Sequence, residues 1–130
     1  MGYLRIQEFV VQLGTGSDQH GHDNDCTHAA IKAVKNAIAN NCLTGLSDIC
    51  DIKEPKDLER ILVHVKIGAP YPDSIDGDKV LKTIPFGVKS IEIVSGGLLA
   101  RGVMIKELGD TSDQIIMCNA AVSVSIRSVS

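Results

Sequence analysis

Aromatic residues are nearly absent from these 130 residues: there is no Trp, and only two Tyr and two Phe occur. A core without aromatics must be filled by Val, Ile, Leu and Ala, which suits thin layers of strands and helices. Excess positive charge is also missing. With 13 Lys and Arg against 16 Asp and Glu, the net charge of -3 leaves no basic stripe to track a phosphate backbone, so nucleic acid is not the expected partner. No apolar run reaches the about 20 residues that span a bilayer, and no membrane association is expected. The four cysteines, Cys26, Cys42, Cys50 and Cys118, form no C-x-x-C pair, and no signal peptide precedes the first strand-like run. Reduced thiols in a cytoplasmic compartment follow as the expectation.

The order of elements comes from periodicity. Leu4 to Leu13 is rich in β-formers and predicts a first strand, with Phe9, Val11 and Leu13 on one face and Glu8, Val10 and Gln12 on the other. Thr27 is a candidate N-cap for a helix in which Ala30, Ile31, Val34, Ala37 and Ile38 recur at helical spacing as far as Asn40 and Asn41. Leu43 to Glu59, with Gly45, Pro55 and many acids, reads as a connecting loop. Ile61 to Gly68 alternates as a second strand, and Asp76 to Ile84 as a short second helix bounded by Pro72 and Pro85. Ser90 to Val94 predicts a third strand, Leu98 to Lys106 either its extension or a loop edge, and Ile115 to Ile126 the last strand.

The sum is one domain over 1–130, of α+β (α/β two-layer) class: β-α-β-α-β-β, a four-stranded mixed sheet with two helices on one face. The bare face would then show Val10, Leu62, Val94, Ile115, Met117 and Ala121 beside Glu8, Gln12, His64, Lys66, Glu92 and Asn119. So apolar a face predicts a homo-oligomer through the open sheet face, with a polar cleft at the subunit boundary.

One segment carries most of the chemistry. Gly14-Thr15-Gly16-Ser17-Asp18-Gln19-His20-Gly21 reads as a glycine-bounded loop between the first strand and the helix. Residues two apart in extended chain point the same way, so the Asp18 carboxylate and the His20 imidazole can converge on one divalent cation, zinc or magnesium/manganese, or act as an acid-base pair. Gly14, Gly16 and Gly21 would permit positive φ or close approach of backbone to a ligand. Against this stands a plain capping role for Asp18. His22 and His28 are further candidates for the cluster. On the open face Lys66 needs a partner, either a neighbouring Glu92 or Glu8 or an anionic substrate, and Asn119 could orient that substrate. Free amides ahead of the helix invite phosphate, but Asp18, Asp23 and Asp25 crowd that end, so a metal would have to mediate.

The glycine-rich run resembles the G-x-G-x-D-x-H-G motif that defines an uncharacterised family of hypothetical proteins of bacteria and plants. The likeness continues through the helix Ala29 to Ile38, the strand Val63-His64-Val65-Lys66, Gly96-Gly97 and Asn119-Ala120-Ala121-Val122. Membership would imply no established activity. The start of the motif is also similar to that of 2-C-methylerythritol 2,4-cyclodiphosphate synthase, a trimeric enzyme of the same strand and helix order. That resemblance implies zinc on Asp18 and His20, although its third ligand, a His, has no counterpart here. The layer order itself resembles the Bacillus chorismate mutase-like fold.

Val63-His64-Val65-Lys66 with the later Ser95-Gly96-Gly97 resembles one repeat of the ring-opening amidohydrolases acting on cyanuric acid and barbiturate. By that resemblance Lys66 would activate Ser95 as nucleophile, the Gly96 and Gly97 amides would hold an oxyanion, and a homotrimer would imitate their pseudo-threefold packing. Two functions therefore stay open: an enzyme acting on a small polar metabolite, phosphorylated or a cyclic amide, with catalytic candidates Asp18, His20, Lys66, Ser95 and Asn119; or a non-catalytic small-ligand-binding or regulatory oligomer.

Overall fold

The structure, a computed structural model, describes residues 4–19, 24–39, 60–108 and 112–129. Five strands, not four, form one mixed sheet. In chain order they are β1 (Leu4–Asp18), β2 (Ile61–Ala69), β3 (Val88–Ser95), β4 (Leu98–Arg101) and β5 (Gln114–Val129). Helix α1 (Thr27–Ala39) follows β1, and the short helix α2 (Gly77–Leu81) precedes β3. The loop expected over Leu43 to Glu59 lies outside the described residues, as do Cys42 and Cys50.

Long, alternating β5 is the centre of the sheet. It pairs antiparallel with β1 along one edge and with β2 along the other, and β3 adds to β2 in parallel. The fifth strand comes from the segment read as an extension or a loop. Past the end of β2, Leu98–Arg101 takes over the vacated edge of β5, where Leu98 faces Met117 and Arg101 faces Gln114. Four residues are too few for periodicity to announce a strand; the unpaired edge of β5 induces it.

Both helices lie on one face, and packing there explains the poverty in aromatics. Ala29, Ala30, Ala33, Val34 and Ala37 of α1 are fully buried against Val63, Val65 and Ile67 of β2 and Ile116, Cys118, Val122 and Val124 of β5. Small helix residues meeting β-branched strand residues bring the two layers close at native density. Helix α2 closes the far end through Val80, with Gly77 against Ile91 of β3.

The first strand differs from its expectation in length and in facing. It runs through the glycines to Asp18, so the segment read as a loop is paired strand up to that residue, with Gly14 opposite Ala120, Gly16 opposite Cys118 and Asp18 opposite Ile116. A register shift between Glu8 and Val10 inserts one residue, and Gln12 pairs with Val122 on the helix side. Val11 and Leu13 therefore face the open side, 48% and 71% exposed. The cause is steric: α1 fits over Gly14 and Gly16, so positions 12, 14, 16 and 18 of this strand face the helix.

Candidate functional site

On the open face, alternation along three neighbouring strands gathers the polar side chains. Leu62, His64, Lys66 and Gly68 of β2 lie beside Ser90, Glu92 and Val94 of β3 and Ala121 and Asn119 of β5. His64 Nδ1 and Ser90 Oγ share a hydrogen bond of 2.7 Å, while His64 Nε2 stands 3.7 Å from Glu92 Oε1. Lys66 Nζ is 3.9 Å from the other oxygen of Glu92. At that separation the pair attracts without a hydrogen bond, and the ammonium keeps donors for another acceptor.

Next to Lys66 the sheet carries a shallow cleft of about 290 Å³. Lys66 and Asn119 form its polar rim, Leu13, Val94 and Ala121 its apolar walls, and Gly68, Gly96 and Gly97 its floor. The floor is a product of the strand crossing. To pass from the outer edge of β2 to the edge of β5, the chain turns over the end of β2, with Gly96 N donating to Ala69 O at 3.0 Å. A Cβ on Gly96 would stand 3.2 Å from Gly68 Cα, and one on Gly97, whose φ is 68°, would overlap the Met117 carbonyl oxygen. Only backbone fits there. Sequence reasoning singled out Lys66, Asn119, Gly96 and Gly97 and put Val94 and Ala121 on the same face; Leu13 joins them only because β5 lies between β1 and β2.

The other candidates lie elsewhere. Ser95 is opposite Ala69 in the register, at a position alternating with Glu92 and Val94, so it shares neither a face nor a register row with Lys66, which is opposite Glu92. The structure does not bring the Ser-Lys pair together. Asp18, 2% exposed, is at the end of β1 opposite Ile116, on the helix side. Within one chain the sheet itself separates Asp18 from Lys66 and Asn119. His20 and Gly21 lie outside the described residues, and so does His22. Among the described residues no group of three or more His, Cys, Asp and Glu is placed to hold a metal ion.

Gly14 and Gly16 have a different occupant from the one their spacing suggested. A Cβ on Gly14 would overlap the Ala33 carbonyl oxygen and the Ala37 amide nitrogen, and one on Gly16 the Ala33 amide nitrogen. Among the described residues positive φ occurs at Asn24, Gly87 and Gly97, not at these two. What approaches the bare strand closely is the backbone of α1.

The start of α1 is fixed by a polar network. Thr27 is the first residue of the helix rather than its cap: Asp25 Oδ1 accepts from Thr27 N at 2.9 Å. Thr27 Oγ1 turns inward, accepting from Asp76 N at 2.9 Å and donating to Ser74 O at 3.3 Å. Ser74 Oγ accepts from Cys26 N at 2.9 Å and donates to Tyr71 O at 2.6 Å. A second cleft of about 240 Å³ opens here between Asp25, Thr27, His28, Ile31 and Lys79. Just beneath, Cys118 Sγ donates to Cys26 O at 3.8 Å. Burial first, then the neighbouring Cys26 thiol, pushes Cys118 up to about 12 from 9.0, so it is a protonated core residue and not a nucleophile.

Fold and site together define a two-layer α+β protein with a glycine-floored cleft on its uncovered sheet face. The chain belongs to the conserved hypothetical protein family Lin0512_fam, whose model matches residues 8–124. It is similar to an FtsZ-like protein of unknown function from Nostoc punctiforme, known from a crystal structure, with 34% sequence identity and a TM-score of 0.82 over 97% of this chain and 100% of that one. No curated protein matches the chain. Among the described residues no helix is long and apolar enough to cross a membrane.

Proposed function

We propose that the protein binds a small anionic molecule, a carboxylate or phosphate with a short apolar body, in the open-face cleft. The supporting observation is the pairing of an ammonium and an amide, Lys66 and Asn119, at the rim of a floor made of Gly68, Gly96 and Gly97. Lys66 supplies charge and donors, Asn119 both a donor and an acceptor, and the side-chain-free floor admits the ligand to the backbone. Leu13, Val94 and Ala121 supply apolar contact for the body. A ligand bound to the folded state alone stabilises it by about 2.7 kcal/mol at a hundredfold excess over Kd, and so raises the unfolding midpoint. Thermal unfolding with inorganic phosphate and with straight-chain carboxylates of increasing length is the test. Saturable stabilisation that is lost in Lys66→Gln and weakened in Asn119→Ala supports the reading. Equal response of the native chain and Lys66→Gln refutes it.

A second reading, favoured by the burial of the Asp18 carboxylate at the end of β1, makes the protein an enzyme on a small polar metabolite. Asp18 and His20 would then hold a divalent metal or exchange a proton with the substrate. Elemental analysis of chelator-free, untagged protein tests it: stoichiometric zinc, magnesium or manganese lost from a folded Asp18→Ala, His20→Ala variant supports the metal site. No metal in the native chain after reloading removes it.

A further inference from the structure

Three polar side chains of the open face have an arrangement that anion binding does not use. Ser90 and Glu92 alternate on β3 and so point to the same side, and His64 of β2 stands opposite Ser90 in the register. The imidazole lies between the other two. Its Nδ1 is 2.7 Å from Ser90 Oγ and its Nε2 3.7 Å from Glu92 Oε1, while Lys66 Nζ stands 3.9 Å from the second oxygen of that carboxylate. A carboxylate facing Nε2 favours the tautomer with its proton there, which leaves Nδ1 the lone pair that accepts from the Ser90 hydroxyl. Proton transfer needs only such a lone pair within hydrogen-bond reach, and either ring nitrogen can provide it. Hydroxyl, imidazole and acid thus stand in the order that activates a nucleophile, with the hydroxyl exposed to solvent.

The geometry points to Ser90 as the nucleophile of a small-ester hydrolase, with His64 as its general base and Glu92 as the residue that positions His64. Ser90 Oγ bonds to the ester carbonyl carbon as its proton passes to His64 Nδ1. The bond from that carbon to the alcohol oxygen then breaks, and the same proton leaves with the alcohol, so that an acyl-Ser90 ester remains. Water attacks this ester while His64 takes its proton. The acid is released, and the proton returns to Ser90 Oγ. The neighbours of the nucleophile define the substrate class. One row along the sheet from Ser90 and His64, Val88 stands opposite Leu62 and is 47% exposed, so a short apolar acyl chain can rest beside the reacting carbon. Anion binding at Lys66 and Asn119 is not required for this chemistry.

A fluorophosphonate, which bonds covalently to an activated serine, reads the nucleophile directly, with peptide mapping by mass spectrometry to locate the label. Hydrolysis of p-nitrophenyl butyrate reads the turnover. The native chain is expected to take the label on Ser90 and to hydrolyse the ester about a hundredfold faster than Ser90→Ala or His64→Gln, the share a general base contributes. Glu92→Asp is expected to keep more of the rate than Glu92→Gln, whereas a merely structural contact would tolerate the isosteric amide better. All these positions are exposed on the sheet face, and unchanged circular dichroism confirms the fold of each variant. A native chain that takes no label on Ser90 overturns the inference, as do equal labelling of His64→Gln and ester hydrolysis that survives in Ser90→Ala. Stabilisation of Ser90→Ala by phosphate or carboxylates reports on the Lys66 cleft separately, so failure of one reading is distinguishable from failure of the other.

Discussion

Adding one methyl group at Gly14 tests whether the motif glycines serve the helix. The new Cβ would stand 2.8 Å from Ala37 Cα, inside the 3.4 Å at which ordinary contact begins, and would overlap two further backbone atoms of α1. Backbone cannot rotate away, so the helix must retreat by more than half an ångström. Six of its residues, Thr27, Ala29, Ala30, Ala33, Val34 and Ala37, are buried against the sheet and would retreat with it. A gap of 0.5–1 Å forfeits roughly a quarter to a half of each dispersion contact, and overpacking in rigid surroundings costs about 1–3 kcal/mol by itself. Alanine also restricts the unfolded chain, which returns about 0.4–1 kcal/mol. The balance is a loss of about 3 kcal/mol, a large share of the 5–15 kcal/mol typical of a domain. Urea unfolding of Gly14→Ala and Gly16→Ala measures it, with Thr15→Ala, exposed on the other face, as control within about 0.5 kcal/mol. A loss below about 1 kcal/mol at unchanged m would refute the packing account and return the glycines to a ligand.

Thr27→Val keeps shape but leaves Asp76 N–H and Ser74 C=O without their partner, so a loss of about 2 kcal/mol is expected in urea, while Thr27→Ser stays near native. Gly97→Ala, at positive φ and against the Met117 carbonyl, should cost about 3 kcal/mol, and Gly96→Ala clearly less; equal costs would mean that the crossing tolerates a side chain. Cys118 should resist thiol reagents at pH 8 until the protein is unfolded. Its folded value of about 12 lies above the 9.0 of the free thiol, so below pH 9 both states hold the proton and its contribution to stability is complete. Between pH 9 and 12 only the unfolded chain releases the proton, and up to about 4 kcal/mol is lost as pH rises, at 1.36 kcal/mol per pH unit. An identical slope in Cys118→Ala would refute this.

Periodicity was a good guide wherever a strand had one buried face. Val63, Val65 and Ile67, like Cys118, Val122 and Val124, alternate with polar neighbours, and β2 and β5 lie where that alternation put them. It failed at β4, which exists because β2 ends and leaves an edge of β5 open, a fact of topology and not of those four residues. It failed again at Gly14 to Asp18, where glycines were read as loop chemistry although their cause is a helix that lies some twenty residues onward in the chain. Lys66 and Asn119 were found because a polar residue on an apolar strand needs an explanation that composition does not supply. Leu13 was assigned to the wrong face because an inserted residue in β1 leaves no trace in the pattern.

The placement of Asp18 and Lys66 separates two chemistries that the motif alone suggested might meet. Asp18 is opposite Ile116 and Lys66 opposite Ala121, five residues apart along β5, on strands that flank it. At about 3.4 Å per residue and 4.8 Å between strands, the two Cα positions are roughly 20 Å apart, with their side chains on opposite faces. Between them lies the hydrogen-bonded sheet itself. A molecule sized for a cleft of about 290 Å³ therefore touches the Lys66 rim or the Asp18 end, never both within one chain. If a variant at Asp18 abolished a reaction that also required Lys66, the two groups would have to come from different subunits, with β1 of one copy brought to the open face of another. Activity restored by mixing an Asp18→Ala chain with a Lys66→Gln chain would establish a shared site; failure to restore it, with both chains assembling, would confine each residue to its own face.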